Sequence, residues 1–282
     1  MRTLLALIAL LAASVTQAGD PQRIVSVDGT ISEIVFALGA GDRLVGVDTT
    51  SVYPAETHDL PKVGYKRALS AEGLLSLQPD LVLYNQDAGP PVVLQQLAQA
   101  GLPLVQIPNE PSVAGTLDKI RAVADALGLS EQGRAMAERV SAELAAVLPD
   151  SDAAARAVFV LHIGAGSDMA AGADTSAAGI IALAGGVNAL EDAFTGYKPI
   201  TAEAMLAAAP EVILVTERNL RQLGGVSGLL SRAGLAATPA GQSGRIVPIN
   251  ALLMLGFGPR LPSAVQQLHE AFTGTRTTAL AD

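Results

Sequence analysis

The strongest constraint on the fold is a sentence the chain writes twice. Residues 69–83 read LSAEGLLSLQPDLVL and residues 200–214 read ITAEAMLAAAPEVIL, identical at five of fifteen positions and conservative at most others. The offset is 131 residues in this segment. Just upstream, Gly64-Tyr65-Lys66 is echoed by Gly196-Tyr197-Lys198 at an offset of 132. A weaker echo pairs Thr30 and EIVFALGAG with Thr175 and GIIALAGG. A repeat of that period means two similar halves, each with its own supersecondary order. Within each copy, Ser70 or Thr201 can cap a short helix, Glu72 or Glu203 sits in its first turn, and Pro79 or Pro210 stops it. Leu81–Leu83 and Val212–Leu214 then read as buried strands.

Further strand candidates are Ile24–Val27, Leu44–Val47, Leu104–Ile107, Ala157–Leu161 and Arg245–Ile249. Most are apolar runs without alternation, separated by helical patterns, as in parallel sheets covered on both faces. The fold class is therefore α/β: two Rossmann-like lobes with parallel sheets and a ligand cleft between them. A helical stretch from Ser130, as its cap, to Pro149 joins the lobes and predicts modest lobe motion rather than a wide hinge closure. The boundaries read as residues 19–128 for the first lobe, 129–149 for the linker helix and 150–282 for the second lobe.

Residues 1–18 stand apart. Arg2 supplies a positive start, Leu4–Ala13 an apolar run, and Thr16-Gln17-Ala18 small residues at the cleavage positions, the pattern of a cleavable secretory signal peptide. Ten apolar residues are too few to span a bilayer, which takes roughly 20. With 18 Lys and Arg against 27 Asp and Glu, the net charge is −9. Removing Arg2 with the signal makes it −10. Such a chain does not suit a nucleic-acid backbone. There is no Cys, which excludes disulfides, thiolate metal sites, Cys nucleophiles and a lipidated cysteine anchor. A soluble periplasmic monomer is the expected state.

Catalytic signatures are missing. No P-loop, no GxSxG elbow and no HxxxH pair occurs, and the three His, at 58, 162 and 269, are far apart in sequence. Gly164-Ala165-Gly166 lacks the third glycine of a dinucleotide fingerprint. A binding protein is favoured over an enzyme. The loop Lys62-Val63-Gly64-Tyr65-Lys66-Arg67 is the most distinctive local feature. It reads either as a half-exposed tyrosine among solvated charges or as an anion-recognising loop whose phenolate could bind Fe(III), with Arg67 favouring the anionic form.

The runs RIVSVDGTISEIVFALGAGDRLVGVDTTSVYP, LPKVGYKRALSAEGLLSLQPDLVL, MAAGADTSAAGIIALAGGVNAL, GYKPITAEAML and LLMLGFGPRLPSAV resemble the periplasmic haem-binding proteins of bacterial haem ABC importers. The likeness covers nearly all of residues 23–270 and is specific at the VGYxR loop and the LGFGPRLP segment. The wider superfamily of cobalamin and siderophore binders shares only the TxxE start and the PDLVL strand. The resemblance implies ferric haem b as transported ligand. It implies Tyr65 as the haem-iron ligand, Arg67 supporting its phenolate, and Glu72 and Glu203 docking onto an inner-membrane permease dimer with its ATPase. The repeat agrees, because a two-fold transporter wants the same group from each lobe. His162, at the end of the Ala157–Leu161 run, matches approximately a second ligand from the second lobe. Lys66, Lys198, Arg218, Arg221 and Arg245 are candidate cations for the propionates, and Tyr197 a wall residue. A ferric siderophore or cobalamin carrier of the same fold is the alternative.

Overall fold

The computed structural model describes residues 20–149, 155–162, 168–232 and 234–274. The signal-like segment and Gly164-Ala165-Gly166 lie outside the described residues. The first half runs β1 (Ile24–Val27), α1 (Gly29–Ala37), β2 (Leu44–Val47), β3 (Gly64–Tyr65), β4 (Ala68–Leu69), α2 (Ala71–Leu75), β5 (Leu81–Asn85), α3 (Pro91–Gln99), β6 (Leu104–Ile107) and α4 (Val113–Ala126). Helix α5 (Ser130–Val147) leads into the second half: β7 (Arg156–His162), β8 (Asp168–Ala171), α6 (Ser176–Leu183), β9 (Val187–Asn188), β10 (Tyr197–Pro199), α7 (Ala202–Ala208) and β11 (Val212–Thr216). It closes with α8 (Glu217–Gln222), α9 (Val226–Leu230), α10 (Pro239–Ser243), β12 (Ile246–Ile249), α11 (Ala251–Leu255) and α12 (Leu261–Thr273).

The first sheet is parallel throughout, in the order β2-β1-β5-β6. The second is built on the same plan at its centre, where β7, β11 and β12 are parallel neighbours as β1, β5 and β6 are. Beyond β7 it departs from the expected parallel sheet. β8 pairs antiparallel with β7, with His162 opposite Asp168, and β10 pairs antiparallel with β8. The reason is chain length: a parallel crossover takes a dozen or more residues, and His162 and Asp168 are too close in sequence to be joined by one.

The repeat survives down to the backbone. Ser70 caps α2 by accepting from Gly73 N at 3.3 Å, and Thr201 caps α7 by accepting from Ala204 N at 3.2 Å. Gln78 and Ala209, each just before the repeated proline, share a left-handed φ of 48° and 45°. Both short helices start at the C-terminal ends of their sheets and return the chain to the opposite end, where Asp80 N bonds Arg23 O and Glu211 N bonds Arg156 O. Helix α5 starts one residue earlier than the sequence suggests. Leu129 occupies the cap position without a side-chain cap bond, and Ser130 is already helical.

The halves share more than α5. One contiguous apolar cluster runs from Ile24, Ile31 and Ile107 through Val140 and Leu144 to Phe159, Ile180, Phe257 and Phe272, taking residues from both sheets. Separate clusters fill the outer faces, around Val82 and Leu97 in the first half and around Ile213 and Leu229 in the second. No helix among the described residues is long and apolar enough to cross a membrane.

Candidate ligand cleft

The β3–β4 hairpin stands over the C-terminal ends of β1, β2 and β5. Tyr65 pairs with Ala68, which leaves Lys66 and Arg67 as a two-residue loop. Gly64 takes φ +97°, a region that an L side chain rarely enters, so the turn needs glycine there. Backbone bonds pin the hairpin on both sides: Thr49 N to Gly64 O, Gly89 N to Lys66 O and Leu69 N to Gly89 O, all 2.9 Å.

Lys66 locks the hairpin from inside. Its Nζ meets Asp28 Oδ2 at 2.6 Å, and Asn85 Nδ2 donates to the same oxygen at 2.8 Å. Asp28 Oδ1 accepts from Thr30 N and so caps α1. The sequence places Lys66 among the propionate cations. The structure gives it another partner, because a nearly buried Asp28 carboxylate needs a cation.

With Lys66 turned in, Tyr65 and Arg67 face out. Tyr65 is 45% exposed although it sits on a fixed backbone. Arg67 Nη2 makes an exposed ion pair with Asp87 Oδ2 at 3.2 Å, a pair weak enough in water to yield to a stronger anion. A half-exposed phenol on a hydrogen-bonded hairpin with a weakly held arginine two residues away can offer an oxygen ligand and a cation to one bound molecule.

The second-half copy of the triplet is built differently. Tyr197 lies in edge strand β10 and packs edge-on against Phe159, ring centroids 6.3 Å apart. The residue is still 36% exposed, and partial burial raises its phenol above the ordinary tyrosine value, against hydrogen bonding with the Ala177 backbone and the Thr175 side chain. That shift disfavours a phenolate. Lys198 is exposed, its ammonium 5.7 Å from the Phe194 ring centre. Arg218 and Arg221 lie on α8, just beyond the C-terminal end of β11, exposed, with Arg221 3.9 Å from Glu217. His162 ends β7 on the same side, and its side chain lies outside the described residues. Arg245 does not join them. It precedes β12, at the opposite end of the sheet, and donates to Ala271 O and Phe272 O at the end of α12. The helix's unpaired terminal carbonyls attract it there.

Glu72 and Glu203 are exposed in the first turns of α2 and α7. The Glu203 carboxyl is held below its ordinary value by its own backbone N–H and by the Thr201 hydroxyl.

The sequence profile of the periplasmic binding protein family matches residues 24–251. The chain belongs to that family. It is a family of binding proteins, a non-enzymatic kind. Among solved structures this binding protein is similar to the periplasmic heme-binding protein RhuT from Roseiflexus sp. RS-1 in apo form. The two are 42% identical with a TM-score of 0.86, over 90% of this chain and 98% of that one. It is also similar to the periplasmic heme-binding protein BhuT in complex with two hemes, at 41% identity and a TM-score of 0.84 over 89% of this chain and 98% of that one. Among curated proteins it is 28% identical over 253 residues to the vitamin B12-binding protein of Vibrio cholerae serotype O1 (strain M66-2), covering 88% of this chain and 87% of that one.

Sequence reasoning alone does not find how this binding protein closes the seam between its halves. The TxxE start on α1 grips the GFGPR segment that follows α11. Thr30 Oγ1 donates to Gly256 O at 3.2 Å, and Arg260 donates to both oxygens of Glu33. From α4, the fully buried Lys119 donates to Gly256 O at 2.8 Å and Phe257 O at 3.3 Å. Burial pushes its ammonium down to about 8, although Asp28 and Glu33 partly oppose the shift. A cavity of about 300 Å³ opens at the seam, lined by Glu33, Phe36, Tyr53, Glu56, Pro259 and Arg260, and Tyr65 is not part of its lining. Both motifs are visible in the sequence. Their pairing is not, since more than two hundred residues separate them.

Proposed function

We propose that this protein is a periplasmic haem carrier, exported through a cleavable signal peptide, that binds ferric haem b and delivers it to an inner-membrane ABC importer. The observation that carries the reading is the half-exposed Tyr65 on its fixed hairpin, in a chain more than 40% identical to two heme-binding proteins over nearly its whole length. A phenolate is a recognised haem ligand type, and Arg67, released from Asp87, would favour that form. His162 is proposed as a second ligand from the opposite lobe. Lys198, Arg218 and Arg221 are the exposed cations proposed to meet the propionates. The first lobe is taken as residues 19–128 and the second as 150–282, linked by 129–149. Glu72 and Glu203 would meet cations on the two permease subunits.

Haem titration followed by visible absorption tests the reading. The wild-type protein is expected to give a saturating Soret change with a ferric tyrosinate spectrum, and Tyr65→Ala to lose it while remaining folded. A wild-type protein without a Soret change would support the second reading, cobalamin, which the vitamin B12-binding relatives favour.

A further inference from the structure

Helix α2 buries Leu74, helix α7 buries Met205 and Ala208, and each leaves a leucine in water. Leu74 and Met205 are fully buried, whereas Leu75 is 40% exposed and Leu206 44%. Among the described residues the only other leucine close to that exposure is Leu148, at 39%. Leu75 and Leu206 are 131 residues apart, the offset of the repeat, so the two lobes expose a leucine at equivalent places. Packing within the lobes does not require it, since the neighbouring residue already fills the core in each case.

Each leucine follows a repeated glutamate by three residues, Glu72 to Leu75 and Glu203 to Leu206, and that spacing puts the pair on one helix face. Both helices begin at the C-terminal ends of their sheets, the side of the Tyr65 hairpin. The lobes thus carry matching marks, a carboxylate and an apolar side chain one turn behind it. A mark written once per lobe fits a partner with two-fold symmetry.

We propose that Leu75 and Leu206 are the apolar half of the permease-docking surface. Each would enter an apolar recess beside the cation that receives Glu72 or Glu203 on one of the two permease subunits. The inference rests on the docking role proposed above for the two glutamates. The two parts act on different quantities. Exposed carboxylates steer the encounter and make it salt-sensitive, while apolar contacts removed from water slow the separation.

The test uses the haem-loaded full-length mature protein and its cognate permease–ATPase complex in nanodiscs, with association and dissociation measured over a range of salt. Leu75→Ser and Leu206→Ser are each expected to speed dissociation about fivefold, the worth of the exposed part of a leucine taken out of water. The double variant should compound the effect. The salt dependence of association should stay that of wild type, and Leu148→Ser should change neither rate. Haem titration of the same variants shows whether they remain folded and loaded. Wild-type dissociation in the double leucine variant, with docking weakened by Glu72→Ala and Glu203→Ala, would overturn the leucine assignment and leave the glutamate reading standing. Unchanged kinetics in both pairs would overturn the two together.

Discussion

Arg260 and Glu33 meet across the seam between the halves through two parallel hydrogen bonds of 2.9 Å, Nε to Oε1 and Nη2 to Oε2. The guanidinium also lies on the Tyr53 ring, 3.5 Å from its centre. The forked geometry matches a carboxylate, and the flat cation suits an aromatic face. Glu33 is buried while Arg260 stays partly exposed beside the seam cavity, so the carboxylate relies on this arginine more than the arginine relies on it.

Removing one partner should therefore cost far more than removing both. Arg260→Met is expected to lower stability by about 3–5 kcal/mol, because the Glu33 carboxylate stays buried without a counter-charge. Adding Glu33→Gln should recover a large part of that loss. Urea unfolding of the two single variants and the double variant measures it, and simple additivity would show that the pair is not coupled.

Lys119 makes stability depend on pH. Its folded pKa of about 8 lies below the ordinary 10.5. Between those values the unfolded chain binds the proton that the native chain has lost, so stability rises as pH rises from about 8 to about 10.5. The contribution is up to about 3 kcal/mol. Lys119→Met should lose this slope and, at every pH, the bonds to Gly256 O and Phe257 O. Unfolding of both proteins at pH 7.5 and 9.5 checks it, and equal slopes would refute it.

Gly179 in α6 has no room for a side chain. A Cβ there would meet Pro111 O at 2.9 Å and Phe257 Cζ at 3.1 Å, contacts from both halves. Gly179→Ala should destabilise the protein by about 1–3 kcal/mol through overpacking at the seam. The thermal midpoint should fall, and an unchanged midpoint would show that the seam relaxes freely.

The two repeated tyrosines should behave differently. Tyr197 is raised by burial and tied to Thr175 and Ala177, so Tyr197→Phe should keep the Soret spectrum and bind haem within a few-fold of wild type. Tyr65→Phe removes the phenol oxygen from the exposed hairpin and should lose the tyrosinate spectrum. The reverse pattern would move the iron ligand to the second lobe.

Much of the architecture is legible from local pattern. The strands β1, β2 and β6 fall on the apolar runs that predict them, and β5 and β11 extend theirs by two residues at the C-terminal end. The Ser70 and Thr201 caps form as their spacing requires. These features depend on nearest neighbours in the chain, for which composition and period are sufficient signals. The GYK echo diverges, as Pro199 in place of an arginine after the second copy suggests. The same three residues make a two-residue hairpin in one half and a sheet-edge strand in the other, because Asp28 draws Lys66 inward while β8 supplies an edge for Tyr197 and Lys198.

The sequence by itself determined the two α/β halves, through a repeat at a fixed offset, and the repeated helix–strand unit, its caps and glutamates and the unusual Tyr65 loop, each encoded within about fifteen consecutive residues. Only the tertiary structure decided that Lys66 is a lock and not a free cation, that Arg245 belongs to the far end of the sheet, and that Thr30 and Glu33 grip Gly256 and Arg260. Those outcomes turn on which counter-charge or carbonyl each polar side chain reaches. Burial makes an unpaired charge costly enough to dictate the answer, and the partners are brought together only by strand order and the shared core.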